Sequence, residues 1–182
     1  MKKAIVFLLM ATGLSLSASA QIKKVTLQAA GLTCAMCSNA TLKSLETLPF
    51  VDKIETDLNA TTFILLIRPN ATVSIDAIRN KVEEAGFSIA KLTFTAGFDH
   101  LAVAKDAHVT YGNTQFHFMN VKQQVLNGDH DLTVIDQHFV SARQFKKYST
   151  QTTMPCYQTG IMNSCCEIPG KSNSTRIYHV TI

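Results

Sequence analysis

The chain has 182 residues, a formal net charge of +4, 46% hydrophobic residues, four prolines and no tryptophan. That composition is of a folded protein with one ordinary domain or two small ones. The basic excess is slight and forms no cluster, so a nucleic-acid partner is not expected.

The first twenty residues read as a secretory signal peptide. Lys2 and Lys3 are followed by an apolar run from Ala4 to Leu16 and by the small residues Ala18-Ser19-Ala20. The run is too short to cross a bilayer core of about 30 Å. No cysteine stands where a lipoprotein would need one. The expectation is cleavage after Ala20, a mature chain from Gln21, and a periplasmic or secreted location without membrane insertion.

Residues 22–95 carry one compact alternation. IKKVTLQAA reads as a strand with Ile22, Val25 and Leu27 toward a core. Leu42, Leu45 and Leu48 mark one stripe of a helix that Pro49 ends. VDKIETDLNATTFILLI reads as two strands turning at Leu58-Asn59-Ala60. Ser74 caps a second helix with Ile75, Ile78, Val82 and Ala85 on its apolar face, Gly86 closes it, and FSIAKLTFTA is a last strand. The order βαββαβ fits a ferredoxin-like α+β sandwich over residues 21–96.

From Phe98 the helical periodicity stops. HVTY and QFHFMNV flank a hairpin turn at Gly112-Asn113, DLTVI follows a turn at Asn127-Gly128-Asp129, and RIYHVTI alternates at the end. One short helix fits Ser141 to Tyr148. Residues 98–182 are therefore expected to be a second, mainly β domain of unknown role, an OB-like small barrel.

Five cysteines fall in two groups. Cys34 and Cys37 lie at the start of the first helix, where unpaired amide groups and the helix dipole favour negative charge. Thiolates so stabilised are soft ligands, selecting Cu(I) or Zn(II) over hard ions, with Met36 adding a weak thioether or a shield. The same spacing also serves thiol–disulfide exchange, or an inert disulfide in an oxidising compartment.

The run Gly31-Leu32-Thr33-Cys34-Ala35-Met36-Cys37, then L-x-x-L-x-x-L-P-F-V, then Glu83-Glu84-Ala85-Gly86-Phe87, resembles the heavy-metal-associated domain. That module occurs in copper chaperones, in the N-terminal regions of metal-pumping P-type ATPases and in periplasmic mercury-binding proteins. The resemblance covers residues 22–95. It implies a ferredoxin-like fold and one soft ion held by Cys34 and Cys37. Gly31 and Thr33 would shape the loop, and Phe87 would pack beside the site. Copper(I) is the ion most in keeping with it, and zinc, mercury and cadmium share the chemistry. The implied partner is a metal-transporting membrane ATPase or another metal carrier. Leu32 stands where the family commonly has methionine, which keeps an apolar anchor. Phe50 stands where it often has glycine, which alters the turn.

Cys156, Cys165 and Cys166 sit in MPCYQTGIMNSCCEIPG. They read either as a disulfide made by Cys156 with one of the other two, or as a second soft-metal site with Met154 and Met162 nearby. The six histidines show no i, i+4 pairing and read as ordinary strand or loop residues. With no phosphate loop, G-x-S-x-G or H-E-x-x-H, no enzyme is expected. The sequence thus points to an exported protein that sequesters or transfers Cu(I) or a similar ion. The alternatives are a periplasmic thiol–disulfide redox protein using the same pair, or a docking module for a metal pump.

Overall fold

The computed structural model describes residues 21–57, 59–162, 166 and 174–182. Residues 1–20, the expected signal peptide, lie outside them, as do Leu58 of the expected turn and Cys165. Among the described residues no helix is long and apolar enough to cross a membrane.

The elements run β1 (Ile22–Ala30), α1 (Ala35–Glu46), β2 (Val51–Asp57), β3 (Thr62–Ile67), α2 (Ile75–Glu84), β4 (Ser88–Val103), β5 (Ala107–Tyr111), β6 (Thr114–Phe118), β7 (Gln124–Val134), α3 (Ala142–Ser149), α4 (Cys156–Thr159) and β8 (Ile177–Thr181). The first six reproduce the expected βαββαβ order. Strands β2-β3-β1-β4 lie side by side and antiparallel, which is the ferredoxin-like arrangement. In β1, Val25 and Leu27 are fully buried, as strand alternation requires. Helix α1 sends Leu45 into the core, and α2 sends Ile75, Ile78 and Val82. The Ser74 hydroxyl accepts the Ala77 N–H at 3.2 Å and fixes where α2 begins.

The second half departs from expectation. All eight strands form one sheet, ordered β2-β3-β1-β4-β7-β8-β6-β5, with β2 and β5 at its open edges. The sheet is not closed, so the expected barrel is not formed. The reason is the length of β4, whose 16 residues run well past Ala96. Its outer edge accepts β7 from Leu92↔Val134 to Val103↔Gln124, and the later strands extend this sheet instead of curling on themselves.

Asn127-Gly128-Asp129 is likewise not a turn but the interior of β7. Gly128, at φ +79°, faces Phe98, where the β4–β7 register shifts before Leu101. The extra residue of that bulge is on β4, where His100 takes φ +46°, and Gly128 sits across from its start on β7. The hairpin at Gly112-Asn113 forms as expected and joins β5 to β6. The expected short helix is α3, with the Ser141 hydroxyl and Gln144 side chain capping each other's backbone.

Both faces of the second half are covered. Phe116, Phe118, Tyr178 and Val180 join the main core with the residues of α1 and α2. The alternate residues of β6 and β8 point the other way, where Cys156, Met162, Cys166 and Ile177 form a separate cluster beneath α4. Cross-links between the halves are specific. Phe94 stacks on Phe116 at 5.2 Å, and Tyr111 donates to the Gly97 carbonyl at 2.8 Å. Arg176 pairs with Asp76 at 3.1 Å, beside the first turn of α2.

Phe116 is fully buried against a ring from the first half. Phe116→Ala is expected to cost about 3–5 kcal/mol, the range for a buried aromatic truncated to alanine. Urea unfolding followed both by circular dichroism and by a fluorophore placed in α1 should show the loss with both probes. A loss seen by neither would contradict the packing described.

Candidate functional site

Cys34 is the N-cap of α1, with extended backbone at φ −148° and ψ 159°. Its sulfur accepts the Cys37 N–H at 3.3 Å, the contact that a capping oxygen usually makes. No acidic residue occupies the first turn, so the positive end of the helix faces the sulfur alone. The next turn is tied down: the Ser38 N–H bonds the Cys34 carbonyl at 3.2 Å, and the buried Thr41 hydroxyl donates to the Cys37 carbonyl at 3.2 Å.

The two sulfurs are 2.7 Å apart, and both cysteines are free thiols. The hydrogen bond from the Cys37 thiol, then the Cys37 N–H, lowers the Cys34 pKa below the ordinary thiol range. The same contact raises Cys37, whose proton it holds. The pair therefore ionises in order, Cys34 first. Cys34 is exposed and Cys37 half-exposed, and Met36 between them is 83% exposed. Its thioether is offered outward and not into the core.

Gly31 adopts φ +86°, which a side-chain-bearing residue rarely takes. A Cβ there would sit 3.7 Å from Phe87, an ordinary contact, so the glycine answers to backbone conformation more than to space. Leu32 packs against the main core, as does Phe87. Phe50 is itself buried, so the substitution for glycine at that turn enlarges the core.

Of the second cysteine group, Cys156 opens α4 and Cys166 lies beside it, both buried. What sequence reasoning missed is their company. His108, Cys156 and Cys166 offer ligand atoms within 4.8 Å of one another, and so do His117, Cys156 and His179. His100, His130 and His138 belong to neither group. Burial, then the charges of His179 and His108, push His117 down to about 4. A usable signal was present: F-H-F at 116–118 and Y-H-V at 178–180 each place a histidine inside an apolar strand run.

Residues 26–88 match the heavy-metal-associated domain model. Among solved structures, a yeast copper transporter domain is 28% identical, covering 36% of this chain and 88% of that one, with a TM-score of 0.32. A copper-binding domain from a P-type ATPase is 30% identical, covering 37% and 93%, with a TM-score of 0.33. The N-terminal domain of a potential copper-translocating P-type ATPase from Bacillus subtilis is 22% identical, covering 38% and 85%, with a TM-score of 0.34. No curated protein matches the chain.

The ordered ionisation of the pair has a measurable consequence. As pH falls from 9 toward neutrality, alkylation at Cys34 should persist after Cys37 has become unreactive. Peptide mass spectrometry after brief iodoacetamide treatment reads this directly. Cys37→Ala removes the side-chain hydrogen bond and should shift the Cys34 profile to higher pH. Faster labelling of Cys37 than of Cys34 at neutral pH would contradict the assignment.

Proposed function

Because residues 26–88 are a heavy-metal-associated domain, we propose that the protein is an exported carrier that binds a thiophilic ion, Cu(I) foremost, through Cys34 and Cys37. It would sequester the ion or pass it on. The observation that carries this reading is the pair itself: two free thiols 2.7 Å apart at an uncovered helix start. Two sulfurs give a soft donor set, which Cu(I) satisfies with few ligands. Zinc, mercury and cadmium compete for the same chemistry.

Transfer in this reading needs no catalysis, and we assign no enzymatic step. A partner's thiolate enters the coordination sphere as one of the protein's own leaves. Cys34, exposed and the more readily ionised, is the sulfur a partner reaches first. Met36 supplies an apolar contact at the same surface. The partner of this chemistry is a second cysteine pair, on a metal-transporting ATPase or another carrier. Residues 21–96 are then the ion-handling part of a single sheet that β4 carries on into the second half.

The lowered Cys34 pKa also favours one rival, disulfide exchange by the same pair. Catalytic reduction of a test disulfide by metal-free protein would identify that activity. A carrier should react only stoichiometrically.

Cys34→Ser and Cys37→Ser, each in the mature full-length chain, are expected to remove one equivalent of tightly bound Cu(I) in competition with a chelator. Unchanged stoichiometry in both variants would refute the assignment. Intact-mass measurement on material from the producing cell tests export in the same preparation. The expected species begins at Gln21, and a chain retaining residues 1–20 would argue against export.

A further inference from the structure

The sheet lays three histidines in a row. His108 on β5 faces His117 on β6, and His117 faces His179 on β8. Cross-strand partners in register share a face of the sheet, so the three imidazoles stand together on the side away from α1 and α2. The His108 and His117 rings stack at 4.4 Å, and those of His117 and His179 meet edge-on at 4.9 Å. Cys156 lies over this row, 3.4 Å from His179 Nε2 and 3.8 Å from His117 Nδ1.

His117 and His179 each turn the other ring nitrogen to a carboxylate. His179 Nδ1 is 2.6 Å from Asp136 Oδ1, and His117 Nε2 is 3.2 Å from Asp106 Oδ1. Asp136 is itself braced by the His179 N–H at 3.2 Å and by Arg176 at 2.9 Å. Ligating histidines are oriented in this way, with the outer nitrogen hydrogen-bonded so that the inner lone pair faces the ion. In addition His108 Nε2 is buried and, among the described residues, has no hydrogen-bond partner.

We propose that His117 Nδ1, His179 Nε2 and Cys156 Sγ form a second metal site for a d10 ion, soft Cu(I) or borderline Zn(II), with His108 and Cys166 as adjacent donors. Metal–nitrogen bonds of about 2.0–2.1 Å and metal–sulfur bonds of about 2.3 Å, set at tetrahedral angles, put nitrogen and sulfur about 3.5 Å apart. The observed 3.4 and 3.8 Å bracket that separation. Two imidazoles and one thiolate suit d10 ions better than Mg(II) or Ca(II), which take oxygen.

The other chemistry of a cysteine–histidine–aspartate line is nucleophilic catalysis. It needs a substrate at the sulfur, and Cys156, His117 and His179 are all 0% exposed. An ion has no such need of a cleft. The site is also independent of the Cys34–Cys37 pair, which lies on the helix side of the sheet.

The test uses the mature chain carrying Cys34→Ser and Cys37→Ser, so that only this site is read. The protein is purified anaerobically, loaded with Zn(II) or Cu(I), dialysed against a weak chelator and analysed for metal. One ion retained per chain is expected, and adding Cys156→Ser or His179→Gln should release it. Competition between the two ions then identifies the preferred one. Co(II) substitution provides a readout that folding alone does not move: a thiolate-to-metal charge-transfer band, lost with Cys156→Ser while circular dichroism is unchanged. No ion retained, or retention and band unaffected by both variants, would overturn the site. Failure here leaves the first pair's stoichiometry untouched, and failure there leaves this one readable.

Discussion

Between Leu92 and Ala96 the backbone of β4 bonds β1 along one edge and β7 along the other, and this double pairing governs the rest of the molecule. A strand in that position has no free hydrogen-bonding edge, and the later strands are added beyond β7. Its side chains still alternate. Leu92, Phe94 and Ala96 face the two helices, while Thr93 and Thr95 face the opposite side. Every strand added outward inherits that division. Phe116 and Tyr178 thus share a core with Phe94, and His117 and His179 stand on the reverse.

The two cysteine environments differ in the way that handling and holding differ. At the start of α1 the sulfurs are supported by a helix end and little else, and solvent reaches Cys34 directly. Over the second half a sulfur is enclosed by imidazoles whose outer nitrogens are already committed to Asp106 and Asp136. Exchange with a partner's ligands is fast only where they can approach, whereas a fully enclosed ion leaves when the surrounding structure opens. A protein with both arrangements has one position suited to traffic and another suited to retention.

The first half was legible because its signals are local. Leu42 and Leu45 fall at helix spacing, although α1 ends at Glu46 and leaves Leu48 beyond it, Ser74 precedes the stripe of α2, and Cys34 stands where a cap belongs. In the second half the hairpin at Gly112-Asn113 and the helix after Ser141 were readable for the same reason. Gly128 misled because a left-handed glycine suits a strand facing a bulge as well as a turn, and only the partner strand decides. The end of β4 was missed because Gly97 interrupts the pattern without interrupting the strand. The histidine row depends on a parallel pairing between β6 and β8, distant in sequence, and no local spacing encodes that register.

The place of β8 in the sheet sets an order of assembly. It lies between β7 and β6, so the β5–β6 hairpin reaches the rest of the sheet only through it. Yet β8 comes after all of those strands in the chain, and it is held to β7 by the short register Thr133↔Thr181 and Val134↔Val180. The strands of the first half pair with one another without β8, but the β5–β6 hairpin has no other strand beside which to pair. Its backbone pairing with the sheet is complete only with Ile177 to Thr181 between β6 and β7, whereas the Phe94–Phe116 and Tyr111–Gly97 contacts tie its side chains to the first half directly. Ile177 to Thr181 are thus the keystone of this sheet, because without them the backbone of β6 would have no strand to join it to β7.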